Sequence, residues 1–375
     1  MIYLDNAATS YPKPRQVYER VSHVLKDIGG NPGRSSHTMA IEASRVVFGA
    51  REALAGLFNI ADSGRISFTK NATEAINIAL KGILKPGDHV ITTGFEHNSV
   101  ARTLRRLEKQ GVSVTRIKAR IPGLIDPEDI DRAITPKTKL VTVVHASNVF
   151  GTIAPLAKIA EVARQRGVLL MADSAQTAGA IPIDVECLGI DILAVTGHKA
   201  LFGPQGTGAL YLGKGIEPEP LIDGGTGMDD NISELPDRLE TGTLNTPGIG
   251  GLAAGVEFIL KEGISRIRAY ERGLIELLLE GLKKIKAVSI IGTMDAGLRV
   301  GLVSFTLEGM TSDEVGIRLD KEFSIMTRCG THCAPEAHRC AGTLPEGAVR
   351  VSPGYFTSPD EIEKFLEAIT MIAKA

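Results

Sequence analysis

The sequence predicts an α/β protein with a large, mostly parallel sheet flanked by helices and a smaller α+β domain towards the C-terminus. Short β-branched runs alternate with helical patterns over most of the chain, which is typical of right-handed βαβ units. The segment Leu140–His145 is apolar nearly throughout, as expected for a strand covered on both faces. After about residue 245 this alternation stops, and strands and helices follow in α+β order.

The elements of the large domain are predicted from this alternation. Seven segments are expected to be strands: Arg65–Thr69, His89–Thr93, Val112–Ile117, Leu140–His145, Val168–Ala172, Ile190–Val195 and Gly208–Leu212. Four segments between them are expected to be helices: Thr73–Leu84, Val100–Gln110, Pro127–Ile134 and Leu156–Arg166.

The smaller domain begins with a long helical pattern. Residues Leu252–Lys284 show this pattern with interruptions at Gly255, Gly263, Gly273 and Gly281. Strands are expected at Val288–Ile291 and Val300–Thr306, and helices at Ser312–Phe323 and Ser358–Lys374. We expect residues 15–250 to form the large domain and residues 1–14 with 251–375 to form the small one, with a boundary between about residues 245 and 260.

Composition narrows the class of protein. The 375 residues are 43% hydrophobic and 23% charged, ordinary values that exclude a disordered, collagen-like or coiled-coil chain. A net charge of −2 provides no field that would recruit nucleic acid or an anionic membrane, so neither is expected as a partner. The sequence shows no signal-peptide pattern, no apolar run long enough to span a membrane, and too few cysteines for a disulfide scaffold. A cytoplasmic protein is expected.

Polar residues follow five of the predicted strands. These segments are Lys70–Glu74, Gly94–His97, Ala146–Asn148, Asp173–Gln176 and Thr196–Lys199. In open α/β sheets, ligands bind beyond the carboxyl ends of the strands. A buried structural residue is the commoner explanation for any one of these groups, but five at one edge favour a ligand site.

The residue types indicate which ligand the site would take. Burial at a strand end lowers the pKa of a lysine such as Lys199 and prepares it to form a Schiff base. Asp173 could pair with a protonated pyridine nitrogen, an imidazole could stack on a ring, and a helix start at Thr73 would suit a phosphate. Together these are the requirements of pyridoxal phosphate, whose ring is an electron sink.

The chain resembles the fold-type I pyridoxal-phosphate enzymes of aminotransferase class V and, within them, the cysteine desulfurases. The resemblance covers essentially the whole chain. Its motifs are Tyr3-Leu-Asp-Asn-Ala-Ala-Thr9, Asp173-Ser-Ala-Gln176, Thr196-Gly-His-Lys199 and Glu240-Thr-Gly-Thr243. A homodimer is implied, since Thr243 would reach the cofactor phosphate of the neighbouring subunit.

The resemblance also implies roles for individual residues. Lys199 would bind the cofactor covalently, Asp173 would contact its pyridine nitrogen, Gln176 would lie near the ring oxygen, and His97 would stack on the ring. The phosphate would be held by Ala72, Thr73, Thr196 and His198. The substrate would be bound by Asn148, Arg328 and Arg350, with Asn148 and Arg350 on its α-carboxylate.

A cysteine cluster near the C-terminus fits the same family. The segment Arg328-Cys-Gly-Thr-His-Cys-Ala-Pro335 resembles the group II pattern Arg-x-Gly-His-His-Cys-Ala, which implies that Cys333 is the catalytic cysteine. Thr331 and the additional Cys329 depart from that pattern. Arg328 and His332 are expected to favour the thiolate of Cys333. The implied reaction converts L-cysteine to L-alanine and passes sulfur through a Cys333 persulfide to an acceptor protein.

Several alternatives remain open at this stage. A structural zinc site could use Cys329, Cys333, Cys340, His332 and His338, but no second cysteine pair follows at the usual distance, and no metal is expected. A nucleotide-binding dehydrogenase lacks its Gly-x-Gly-x-x-Gly loop. A selenocysteine lyase, or another class V enzyme such as an aminotransferase or epimerase, is closer to a cysteine desulfurase than either of these.

The sulfur acceptor could serve iron–sulfur assembly, thiolation of transfer RNA or a selenium pathway, and the roles of Cys329 and Cys340 stay undecided.

Overall fold

A seven-stranded sheet, a three-stranded sheet and a two-stranded pair organise the chain in a computed structural model that describes residues 1–33, 35–118, 123–224 and 234–374. Within these ranges the strands are β1 Ile2–Tyr3, β2 Ile66–Thr69, β3 His89–Thr93, β4 Ser113–Ile117, β5 Thr138–Val144, β6 Leu169–Asp173, β7 Ile192–Thr196, β8 Gly208–Leu212, β9 Val288–Ile291, β10 Val303–Leu307, β11 Ile325–Met326 and β12 Val349–Val351. The helices are α1 Arg15–His23, α2 Thr38–Phe58, α3 Ala72–Ile83, α4 Asn98–Glu108, α5 Pro127–Ala133, α6 Leu156–Gln165, α7 Val185–Leu188, α8 Thr246–Glu262, α9 Ile264–Lys283, α10 Ser312–Phe323, α11 Pro335–Ala341 and α12 Pro359–Ile372.

The larger sheet has seven strands in the order β2-β8-β7-β6-β5-β3-β4. All pairs are parallel except those of β8, which runs antiparallel to both β2 and β7. Helices cover both faces: α3 and α4 bury Leu80 and Leu104 on one side, while α5, α6 and α8 bury Ile130, Ile159 and Leu252 on the other. The predicted mostly parallel α/β fold is confirmed, and the strands of this sheet end within two residues of the predicted bounds.

The long helical pattern of residues 252–284 is two helices rather than one. α8 ends at Glu262 and α9 begins at Ile264. Gly263 between them has a φ of 82°, a conformation that is cheap only for glycine. The two further helices that pack on α8, α1 and α2, do not follow from the sequence patterns above. α8 spans residue 250, and the division into two domains there stays a prediction.

A smaller three-stranded antiparallel sheet, in the order β12-β10-β9, lies in the C-terminal part of the chain. Its hydrophobic core includes Phe305, Phe365 and Leu4. Leu4 follows β1, which pairs in parallel with β11, so the N-terminal segment packs with this part of the chain. Among the described helices, none is long and apolar enough to cross a membrane.

Arg299 joins the smaller sheet to the loop after β5. The Val300 N–H donates to the Gly151 carbonyl at 2.9 Å, and the Ile153 N–H donates to Leu298 at the same distance. The Arg299 side chain is fully buried and donates to the backbone carbonyls of Ile291, Thr293 and Leu302. Because buried carbonyls left unpaired are costly, these contacts fix the loop that carries Asn148.

Two glycines inside helices provide a matched test of packing. A Cβ at Gly255 in α8 would overlap the carbonyl oxygen of Leu201, whereas a Cβ at Gly273 in α9 would meet nothing within 4 Å. We expect Gly273→Ala to raise the free energy of unfolding by about 1 kcal/mol, the helix-propensity difference. Gly255→Ala should lower it by about 1–3 kcal/mol because α8 is pushed away from the loop that carries Lys199. Thermal unfolding of both variants measures this; equal stability of the two would contradict the close approach of α8 to Leu201.

Candidate active site

A cavity of ≈ 220 Å³ opens at the carboxyl ends of the central strands; we call it the main cavity. It brings together every predicted site residue except Thr243: Ala72, Thr73, His97, Asn148, Asp173, Gln176, Thr196, His198, Lys199, Arg328, Cys333 and Arg350. His332, Asn71, Ser99 and Ala7 also line it. The convergence follows from the parallel strands, whose carboxyl ends lie at one edge.

Asp173 ends the central strand β6 and is almost fully buried. Its neighbours across the sheet are Val144 and Ala194, and its Oδ1 accepts the Ala175 N–H at 3.0 Å. Burial raises the pKa of this carboxyl, while the Ala175 N–H and the charge of Lys199 oppose that effect. The arrangement suits a partner that supplies a positive charge or a strong N–H donor.

Lys199 lies just after β7, in the loop that α8 packs against. Burial, with Arg350 adding to its effect and Asp173 opposing it, lowers the pKa of its amine to about 8. The preceding residue, His198, is held by its backbone, since its carbonyl accepts the Ser10 N–H at 3.0 Å and the Thr9 hydroxyl at 3.0 Å. A lysine with such a pKa keeps a larger fraction of free amine near neutrality than an exposed one.

His97 precedes α4 and is uncharged at neutral pH. Burial lowers its pKa to about 4, with Lys199 and Arg328 adding to the effect. Its Nδ1 accepts the Ser99 N–H at 3.1 Å, so the neutral ring carries its proton on Nε2. An uncharged imidazole on the cavity wall is suited to stacking on an aromatic ligand.

Several buried polar atoms of the cavity residues have no hydrogen-bond partner among the residues that the structure describes. They are Thr196 Oγ1, His198 Nδ1, Asn148 Oδ1 and Arg350 Nε. Unpaired buried polar atoms are rare in native proteins because each carries a desolvation penalty. α3 also begins at Ala72 beside the cavity, and a helix N-terminus favours anions. The cavity therefore fits a polar, anionic ligand such as the pyridoxal phosphate that the sequence predicts.

Arg350, on β12, connects the two sheets. Its buried guanidinium lies 3.0 Å from Asp5 Oδ1 and donates to the Asn148 carbonyl at 3.2 Å. Its backbone pairs with that of Arg328. The ion pair with Asp5 was not predicted: Asp5 stands in the N-terminal motif, but nothing in the sequence connects it with a residue 345 positions away.

Cys333 lies on a short loop between β11 and α11. Its thiol is exposed and lies 3.6 Å from Arg328 Nη2. The backbone on both sides is held, because the Cys333 carbonyl accepts the Asn98 N–H at 2.9 Å and the His332 carbonyl accepts Asn148 Nδ2 at 2.6 Å. His332 and Cys333 have φ values of 49° and 57°, a left-handed conformation that costs about 1–2 kcal/mol per residue.

His332 does not take the predicted role of a cation beside Cys333. Its imidazole is buried, which lowers its pKa to about 3, and Arg350 adds to the effect. The ring contacts the Arg328 carbonyl at 3.2 Å and His338 at 3.0 Å and is uncharged at neutral pH. Of the two residues expected to favour the thiolate, only Arg328 carries a charge near the sulfur.

The neighbouring cysteines lie apart from Cys333. Cys329 packs against the core of the smaller sheet, and burial raises its pKa to about 11. The Cys340 thiol instead lies 3.6 Å from the Gly94 carbonyl. Among the described residues no three His, Cys, Asp or Glu side chains come together as a metal site, so the residues of the zinc alternative do not converge.

Thr243 lies outside the main cavity. It is exposed and lines a second cavity of ≈ 140 Å³ beside β2, an edge strand. The preceding Glu240 anchors this segment: its carboxylate forms a buried bidentate pair with Arg51 at 2.7 and 3.0 Å and accepts the Phe68 N–H at 2.6 Å. The segment is fixed to its own sheet while Thr243 itself stays exposed.

Comparison with known proteins agrees with this site. A model of the aminotransferase class-V family matches residues 2–365. A probable cysteine desulfurase of Methanothermobacter thermautotrophicus is 36% identical, over 99% of this chain and 94% of its own. Cysteine desulfurase IscS of Shewanella denitrificans is 35% identical, over 98% and 92%. The apo structure of the cysteine desulfurase of Thermococcus onnurineus superposes with a TM-score of 0.94 at 33% identity, covering 100% of this chain and 94% of that one. The chain thus belongs to the aminotransferase class-V family and, within it, to the cysteine desulfurases.

Proposed function

We propose that the protein is a pyridoxal-phosphate-dependent cysteine desulfurase that converts L-cysteine to L-alanine and holds the released sulfur as a persulfide on Cys333. The observation that carries this proposal is the meeting of Lys199 and Cys333 on one cavity. An aminotransferase has use for the lysine but none for a thiol at that place. The family membership of the chain supports the same reaction.

The cavity residues would hold the cofactor as the sequence predicts. Thr196 and His198, each with an unpaired buried polar atom, would bind the phosphate together with Ala72 and Thr73 at the start of α3. Asp173 would contact the pyridine nitrogen, Gln176 the ring oxygen, and His97 the ring face. When bound, pyridoxal phosphate supplies an electron sink that weakens bonds at the α- and β-carbons of the amino acid.

Lys199, Asn148 and Arg350 would act on the substrate amino acid. Asn148 Oδ1 and Arg350 Nε lack partners within the chain, and the Arg350 guanidinium would bind the α-carboxylate. Lys199, whose pKa is lowered to about 8, would take the α-proton as a general base and return it later as an acid. A base that titrates near the working pH is the efficient choice for such transfers.

Cys333 would accept the sulfur. Its thiolate attacks the substrate sulfur, one S–S bond forms, and the Cβ–S bond breaks with its electron pair passing to Cβ, which takes up a proton on the way to alanine. The thiolate is the nucleophilic form, and the Arg328 guanidinium lies 3.6 Å from the sulfur. Residues 327–334 between β11 and α11 form a short anchored loop, which supports a group II-like enzyme.

The acceptor of sulfur and the second subunit complete the proposal. The Cys333 thiol is exposed, so an acceptor protein can reach a persulfide there. Thr243, exposed and fixed through Glu240, would contact the phosphate in the site of a partner subunit. The active form would therefore be a homodimer with two shared sites.

The pH dependence of cofactor capture tests the role of Lys199. Because burial lowers the pKa of Lys199 from 10.5 to about 8, the free amine increases roughly tenfold per pH unit below that value and levels off above it. We expect the rate of covalent capture of pyridoxal phosphate by the cofactor-free protein, trapped with borohydride, to follow this curve. An ordinary lysine would keep gaining rate up to about its unperturbed pKa.

Lys13 provides a matched control for this test. Burial lowers its pKa to about 8 as well, yet it does not line the main cavity. Lys199→Ala should abolish the trapped adduct and the yellow colour, while Lys13→Ala should retain both. Adduct on Lys13 in place of Lys199 would refute the assignment of the cofactor lysine.

The choice among three neighbouring cysteines tests the sulfur transfer. Cys333→Ala should keep the colour and still bind cysteine, but should lose alanine release by about a hundredfold or more, since the nucleophile is gone. Cys329→Ala and Cys340→Ala should keep most of the activity, because neither thiol lines the main cavity. Mass spectrometry after brief treatment with cysteine should find one additional sulfur on the Cys333 peptide.

The same assay separates the nearest alternative. If none of the three substitutions affected turnover of L-cysteine while L-selenocysteine was consumed faster, a selenocysteine lyase would be the better description.

Mixed dimers test the sharing of sites through Thr243. Thr243→Ala should weaken retention of the cofactor without unfolding the subunit, since a hydrogen bond to a charged group contributes about 1.5–3 kcal/mol. If Thr243 acts on the partner's site, a dimer of one Lys199→Ala and one Thr243→Ala chain contains one intact site. Mixing the two variants should then restore sites that retain the cofactor as tightly as wild type. No restoration, or full activity in a monomer by sedimentation, would contradict sharing.

A further inference from the structure

A chain of hydrogen bonds runs from His332, which lines the main cavity, to His338 and Thr343 behind the Cys333 loop. His332 Nδ1 is 3.0 Å from His338 Nε2, and His338 Nδ1 is 2.8 Å from the Thr343 hydroxyl. At the other end, His332 Nε2 is 3.2 Å from the Arg328 carbonyl. Both imidazoles are buried, His332 at 3% and His338 at 0% exposure. Neither His338 nor Thr343 lines the cavity, so no part of the mechanism above uses them.

The direction of this chain follows from its end. A carbonyl oxygen only accepts, so His332 Nε2 carries the proton. His332 is uncharged because burial lowers its pKa, and its Nδ1 is therefore an acceptor that requires the proton of His338 Nε2. Burial also lowers the pKa of His338, to about 4, so that the His338 Nδ1 accepts in turn. The Thr343 hydroxyl donates to this nitrogen at 2.8 Å, a shorter contact than its 3.4 Å to the His338 carbonyl. Each of the three hydrogen bonds is therefore donated in the direction of the Arg328 carbonyl.

The loop that this chain supports carries the sulfur nucleophile. The Arg328 carbonyl accepts the Arg350 N–H at 2.7 Å as well as the His332 ring. The Arg328 side chain lies 3.6 Å from Cys333 Sγ. His332 is thus held at its ring by His338 and at its carbonyl by Asn148, in the left-handed stretch that includes Cys333. The ring contacts therefore add to the bonds from Asn98 and Asn148 that oppose relaxation of this stretch to an ordinary backbone conformation.

We propose that His338 and Thr343 are positioning residues for sulfur transfer, which fix the proton arrangement of His332 and thereby keep the Cys333 thiol beside Arg328. The proposal rests on the proposed function only in naming the reaction that the thiol serves. If the Thr343 hydroxyl is removed, His338 Nδ1 loses its donor, and only the contact with His332 Nδ1 still favours the His338 proton on Nε2. In the other neutral form two lone pairs face each other between the imidazoles, and His332 loses this support.

A matched pair of substitutions at Thr343 tests the proposal. Thr343→Val keeps the shape and removes the donor, whereas Thr343→Ser keeps the donor. Both retain the backbone bonds of this residue, in which its N–H donates to His338 at 3.0 Å and its carbonyl accepts from Gly347 at 2.7 Å. His338→Leu removes the link altogether. Should His338→Leu not fold, the Thr343 pair decides alone.

The main readout does not depend on the cofactor. In the cofactor-free protein, the rate of alkylation of Cys333 by iodoacetamide is compared with that of Cys187, an exposed thiol on α7, by mass spectrometry of the two peptides. We expect the ratio to fall about fivefold in Thr343→Val and His338→Leu, the factor that corresponds to one lost hydrogen bond of about 1 kcal/mol, and to stay at the wild-type value in Thr343→Ser. In the loaded enzyme, kcat for L-cysteine should fall by a similar factor with little change in KM.

Two outcomes would overturn different statements. Equal Cys333 to Cys187 ratios in Thr343→Val and Thr343→Ser, whatever their thermal stabilities, would show that the chain only supports the fold and would refute the positioning role. A wild-type enzyme that releases no alanine from L-cysteine would refute the proposed function and leave the alkylation comparison intact.

Discussion

The parallel pairing of β5, β6 and β7 sets which side chains can meet at the main cavity, because it places Val144, Asp173 and Ala194 in one row. Each of these strands then ends at the same edge of the sheet and continues into a loop whose polar groups need hydrogen-bond partners. Thr196 and His198 leave atoms unpaired there, a cost that a bound anion removes. The rest of the site, including the burial that lowers the pKa of Lys199, depends on this shared edge.

The residues around the smaller sheet form the half of the site that would accept sulfur in the proposed function. Arg350 on β12 contacts Asp5 from the N-terminal segment and Asn148 from the loop after β5. The Cys333 loop is held to these residues by the backbone pairing of Arg328 with Arg350 and by the bond from Asn148 to the His332 carbonyl. Three segments far apart in sequence therefore fix the thiol relative to the lysine. In the proposed function, cofactor chemistry and sulfur attack would use residues from different parts of the fold, and their alignment would depend on how these parts pack.

Much of this arrangement follows from the sequence. β-branched runs predict the central strands, and the carboxyl-end rule brings Asp173 and Lys199 to one place. The family resemblance adds Cys333 and the substrate-binding residues. The ion pair of Asp5 with Arg350 and the uncharged state of His332 could not be predicted, because both depend on burial and on contacts between distant segments. The helix break lies at Gly263, one of four glycine interruptions in the sequence pattern. Packing distinguishes this glycine from Gly255 and Gly281, which lie against neighbouring segments inside intact helices.

The left-handed backbone at Cys333 restricts the evolutionary choices at this position. A β-branched side chain is strongly disfavoured at a φ of 57°, whereas an unbranched residue is tolerated at moderate cost. Threonine is thereby excluded as a substitute nucleophile, and serine is the only other hydroxyl-bearing aliphatic residue that the backbone admits. Glycine would relax the loop and lose the reactive group at the same time. In the proposed function, replacing Cys333 by serine would remove the persulfide and leave the loop conformation in place, whereas replacing it by threonine would also strain the loop.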